Sequence, residues 1–171
     1  MPTTHTQPAS ATKAHGGEHA HVAGGHYMRL LVMTALSFAA MYALMYAMVD
    51  RFENVYNNIN QVYMAGLMAA SMVVIELAVM GAMYHNRKLN VAIVAASIVA
   101  LAGFWVGIRL QSAVLDQQFL RSMIPHHAGA ILMCEKASIR DADIRELCET
   151  IIASQTDEIR QMKAKLEELG S

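Results

Sequence analysis

Three stretches almost free of charge dictate what this chain can become: Tyr27 to Val49, Val62 to Tyr84 and Leu89 to Leu110. Each exceeds the roughly 20 residues that a helix needs to cross a hydrocarbon core about 30 Å thick. Only Arg29 and Arg109, near the ends of the first and third, and Glu76, in the middle of the second, interrupt them. Charged residues make up 16% of the chain against 55% hydrophobic, where soluble domains hold about a quarter charged. The runs predict three transmembrane helices, 27–49, 62–84 and 89–110, with the lipid bilayer as the partner that all three share. The first run follows 26 polar, histidine-rich residues. It is too long for a signal-peptide core and has no A-x-A-like site after it, so it is expected to remain as an anchor.

Few charges set the orientation. Arg87 and Lys88 lie between the second and third runs, whereas Arg51 between the first and second is flanked by Asp50 and Glu53. Positive-inside reasoning puts the Arg87/Lys88 loop in the cytoplasm, together with Lys13, Arg29 and the N-terminus. Three spans then send everything after residue 112 to the opposite, extracytoplasmic face, although Arg109 and Arg121 pull weakly the other way. Neither a basic stripe nor basic-aromatic interleaving supports a nucleic-acid partner. Phosphate loops, nucleophile elbows and H-E-x-x-H helices are also missing from the sequence.

From Ser112 the chain changes character. Leu115, Phe119, Met123, Ala130, Ile131 and Met133 follow helical spacing, as do Ile144, Leu147, Ile151, Ile159, Met162 and Leu166. Arg140-Asp141-Ala142-Asp143 breaks the pattern, and either aspartate can cap a second helix. The spacing predicts an antiparallel hairpin, 113–139 and 142–169, forming a domain over 112–169. A turn near residue 140 pairs positions whose numbers sum to about 281. His126 then faces Gln155, Met123 faces Glu158, Phe119 faces Met162, and Met133 and Cys134 lie near Cys148. Two helices bury little, so a second copy completing a four-helix bundle is expected.

The segment Phe119 to Cys134, FLRSMIPHHAGAILMC, gathers thioether, imidazole and thiol groups that suit a soft or borderline metal such as copper. Asp116, Phe119, the Met123-Ile124-Pro125-His126-His127 run and Met133, followed by Ile152, Gln155, Glu158, Ile159 and Met162, resemble the bacterial domain of unknown function 305, a ferritin-like helical family. The resemblance covers about the last third of the chain. It implies an extracytoplasmic domain associated with copper binding and copper tolerance. One hairpin in place of a tandem pair, and a three-span module in front, depart from the simplest family pattern; the first favours a homodimer or higher homo-oligomer.

The expected ligands are therefore Met123, His126, His127, Met133 and Met162, with Glu158 and Gln155 as oxygen ligands or outer partners. Cu(I) is the expected metal, with other transition metals open. Each residue also has a plainer explanation. Adjacent helical histidines point about 100° apart, so one of the pair can be structural. Pro125 frees the carbonyl of Arg121, but it also simply bends a helix. Cys134 and Cys148 fit a disulfide, a Cu(I) thiolate pair or two buried thiols equally well. Methionine, 14 in all, is a common packing filler. Even so, Met41, Met45 and Met48 line one face of the first span, and Met64, Met68, Met72, Met80 and Met83 lie on nearby faces of the second. Glu76, continuing the Met68/Met72 stripe, suits a transient copper or proton-coupled path or a helix–helix hydrogen bond in an oligomer. The tail at 1–26, with His5, His15, His19, His21 and His26, reads as disordered and unselectively metal-binding.

The expectation is an all-α, multi-pass protein of the bacterial inner membrane with a periplasmic copper-binding hairpin, serving tolerance, storage or handover to a copper-handling partner. The alternative is a membrane assembly protein whose hairpin binds a partner helix without metal. The one Glu-x-x-His, Glu18 to His21, lies in the histidine-rich tail and the hairpin has none, so a di-metal enzyme is not expected.

Overall fold

The computed structural model describes the backbone of residues 16–170 and the side chains of residues 25–170. Among them every regular element is helical: α1 (Gly16–Leu44, continued by a 3-10 turn at Met45–Met48), α2 (Ile59–Val79), α3 (Arg87–Leu110), α4 (Asp116–Lys136) and α5 (Ala142–Gly170). Three stretches, Gly25–Met48, Ile59–Val79 and Arg87–Leu110, are long and apolar enough to cross a membrane.

The ends of these helices follow from local chemistry. Asn58 and Asn86 cap α2 and α3, their side chains accepting the backbone N–H of Gln61 and Leu89. The Asn58 cap lets the polar Asn60 and Gln61 join the first turn, so α2 begins before Val62. It also stops early. Met80 leaves helical geometry and Gly81–Met83 forms a 3-10 turn, glycine being a poor helix former. Glu76 therefore lies one turn from the end of α2 and not in the middle of a span, where its Oε1 accepts the Tyr84 hydroxyl at 3.3 Å. At the other extreme α1 begins at Gly16, inside the stretch expected to be unstructured. Once nucleated, a helix extends at little cost per residue. His5 and His15 lie outside the described residues.

Helix α2 is central, with α1 and α3 packed on it. Its Ala65, Gly66, Ala69, Val73 and Leu77 are buried. Gly66 admits the Phe104 ring so closely that a Cβ there would lie 2.5 Å from Phe104 Cζ. Leu31 and Leu36 of α1, and Val91 and Val99 of α3, stay exposed, as lipid-facing positions should. At one end of this layer Tyr27 donates to Asn90 Oδ1 at 2.7 Å. At the other, Gln111 ends α3 in the left-handed region with φ 50°, and the chain turns into α4.

Helices α4 and α5 form the antiparallel hairpin. Asp141 is the aspartate that caps α5, its Oδ1 accepting from Asp143 and Ile144 N–H at 3.0 and 3.1 Å. Ile124, Ala128, Ile131 and Ile159 form the hairpin core, joined by Met162 and Leu166, and by Val49 and Tyr56 from the loop between α1 and α2. Part of the covering expected from a second copy thus comes from within the chain. The hairpin sits on the same end of the spans as that loop. Ile59 N–H donates to Gln118 Oε1 at 3.0 Å, Asn60 Nδ2 to Ser122 Oγ at 3.2 Å, and Tyr63 to the Ser112 carbonyl at 2.7 Å.

Candidate metal centre

The seven expected ligands part company at the step from His126 to His127. His127 is buried and turned toward α5. Its Nδ1 lies 2.9 Å from the Met123 carbonyl and its Nε2 lies 2.6 Å from Glu158 Oε2. A carbonyl only accepts, so Nδ1 carries a proton. The Nε2–Glu158 contact then holds a further proton, as imidazolium with carboxylate or imidazole with carboxylic acid. Both ring nitrogens are occupied, and His127 and Glu158 serve as a bridge between α4 and α5. Met162 packs in the hairpin core beside Ile159. Gln155 is half-buried, with its Oε1 lacking a hydrogen-bond partner. The rings of His126 and His127 still meet edge to face, 6.0 Å between centroids, but none of these four lines the cleft that the remaining three share.

The register explains the change of partner. The sequence pairing sets Met123 against Glu158, whereas the structure sets His127 there, one helical turn later. Helical side chains lean toward their own N-terminus, so across an antiparallel pair the residues that touch have larger summed numbers than the backbone positions abreast. Close to the turn the simple register holds: Cys134 and Cys148 form a disulfide with a Cα–Cα distance of 5.2 Å. Of the three fates open to these cysteines the structure takes the cross-link, and neither sulfur remains as a thiolate ligand.

Met123, His126 and Met133 face the opposite way, into a cleft of about 630 Å³ between the hairpin and the spans. Met45 and Met48 from the end of the first span and Met64 from α2 line its other wall. Five thioethers and one imidazole therefore open onto one space, and no lining side chain is acidic. His126 is exposed, and among the described residues no hydrogen bond engages its ring nitrogens. Asn60 also lines the cleft, and its buried Oδ1 has no hydrogen-bond partner. Among the described residues no group of three or more His, Cys, Asp or Glu side chains is placed to hold a metal. The donor set that lines the cleft is sulfur-dominated, which fits a soft monovalent ion better than zinc or iron.

Met45, Met48 and Met64 belong to the methionine faces of the first two apolar runs, but the path expected there centres on Glu76. Glu76 is 12 residues beyond Met64 along α2, about 18 Å away at the helical rise, and it is bound to Tyr84. The signal that would have joined these methionines to His126 is topological. With three spans, the end of the first, the start of the second and the hairpin all lie on one face.

The family model for a domain of unknown function, DUF305, matches residues 3–166. The chain belongs to this family. The DUF305 match is wider than the hairpin resemblance implied, since it takes in all three apolar helices along with α4 and α5. An uncharacterized protein of Acanthamoeba polyphaga mimivirus is 32% identical over 142 residues, covering 81% of this chain and 91% of that relative. No solved structure matches.

Proposed function

We propose that this protein is a membrane-anchored copper-binding protein that takes Cu(I) on the extracytoplasmic side of a bacterial inner membrane, for tolerance, storage or handover to a partner protein. The observation that carries this reading is the convergence of Met123, His126 and Met133 on one acid-free cleft. Thioethers and imidazole are the neutral protein donors suited to copper. Two observations support the side of the membrane: the positive charges at Arg87 and Lys88, and the Cys134–Cys148 disulfide, a bond that persists in oxidising compartments.

The test is a Cu(I) titration of the full chain in detergent micelles against a competing chelator, beside the His126→Ala variant. The parent should compete for Cu(I). The variant should lose at least the roughly tenfold in affinity that losing even an outer partner costs a metal site. A parent that leaves all the Cu(I) with the chelator overturns the proposal. It would favour a second reading, a membrane assembly protein. Ile144 and Leu147, 49% and 56% exposed on α5, offer a partner helix or a second copy an apolar strip. The same strip would serve dimerisation into a four-helix bundle.

A further inference from the structure

Resting on the copper reading, we infer that the metal site is not contained in the hairpin: one or more of Met45, Met48 and Met64 of the membrane helices ligate the same Cu(I) as His126 of the hairpin. All six line one cleft. The hairpin offers only two thioethers and one imidazole there, because His127 and Glu158 are committed to each other and Met162 to the core. The spans add three thioethers from the facing wall.

The spacing of these residues fits that role. Met45 and Met48 belong to the 3-10 turn that ends the first span, and Met64 stands in the second turn of α2. All three are near the mouth of the spans facing the hairpin. Met48 is 53% and Met64 40% exposed, so neither is consumed by packing. Methionine has three rotatable bonds beyond its backbone, which lets sulfurs from opposite walls converge on one ion. The hairpin is held over this mouth by Gln118 and Ser122, which bond Ile59 and Asn60 at the start of α2. A Cu(I) bound in the cleft therefore clamps the hairpin to the membrane helices.

The experiment compares the full chain in micelles with the triple variant Met45→Leu/Met48→Leu/Met64→Leu. Cu(I) affinity is read by chelator competition, and the number of sulfur neighbours by X-ray absorption at the copper edge. The triple variant should bind at least roughly tenfold more weakly and lose sulfur neighbours while keeping the nitrogen of His126. A triple variant with the parent's affinity and sulfur count overturns the inference and leaves a hairpin-only site. A parent that binds no Cu(I) overturns the copper reading itself, and this inference with it.

A measurement on the unaltered protein guards against a variant that misfolds. Peroxide oxidation of methionine is followed by mass spectrometry with and without Ag(I), a redox-inert stand-in for Cu(I). Protection should reach one or more of Met45, Met48 and Met64 besides the hairpin methionines, and spare Met80 and Met83 at the far end. Protection confined to Met123 and Met133 overturns the inference.

Discussion

Two adjacent histidines with opposite surroundings organise this protein at the scale of the residue. A 100° step around α4 sends His126 to the cleft and His127 to the hairpin interior. The Glu158 side chain is half-exposed, so its bond to His127 is screened on one side. We expect Glu158→Gln to lower the stability of the hairpin by about 1 kcal/mol, read as a lower thermal midpoint by circular dichroism, and to leave Cu(I) affinity unchanged. A loss of Cu(I) affinity in Glu158→Gln would return the pair to the metal site. That the two histidines diverge was legible in the sequence, because it depends on helical geometry alone. Which of them turns inward was not, because that depends on where α5 and the spans lie around α4.

The hairpin is the clearest case at the scale of the element. Its helices, its turn and a capping aspartate were visible in the spacing of apolar residues and in Arg140-Asp141-Ala142-Asp143; that Asp141 and not Asp143 is the cap was not. The contact register drifted by a turn, since numbering backbone positions ignores the lean of the side chains. The Cys134–Cys148 disulfide closes a loop across that turn with a sequence separation of 14. Cross-linking so short a loop stabilises by about 3 kcal/mol through the unfolded chain. Cys134→Ser should therefore lower the thermal midpoint and speed hydrogen exchange through the first turns of α5. Unchanged exchange there would mean that packing alone holds the turn. Helix α2 makes the complementary point. Hydropathy placed it correctly but overran its end, because Met80 to Tyr84 are apolar enough for a span while Gly81 breaks the helix.

For the whole molecule, the three helices long and apolar enough to cross a membrane would, if all cross, put the His85 loop on one face and the hairpin on the other. Single cysteines at His85→Cys and Ser138→Cys, both at exposed positions, should react with an impermeant maleimide from opposite sides of sealed vesicles. Labelling of both from one side would refute the three-span topology. The three long apolar helices were legible from charge-free length. The seat of the hairpin on the spans was not, because it rests on single polar contacts such as Asn60 with Ser122, and on a close approach at Gly129. A Cβ at Gly129 would lie 3.4 Å from the Met48 carbonyl oxygen, so backbone meets nearly bare backbone where the two halves join. Tolerance to sequence change must then be uneven. Lipid-facing positions such as Leu36 or Val99 can drift among apolar residues at little cost. Residue 129 has room for a methyl at most, and any larger side chain there would part the hairpin from the membrane helices while every methionine stayed in place.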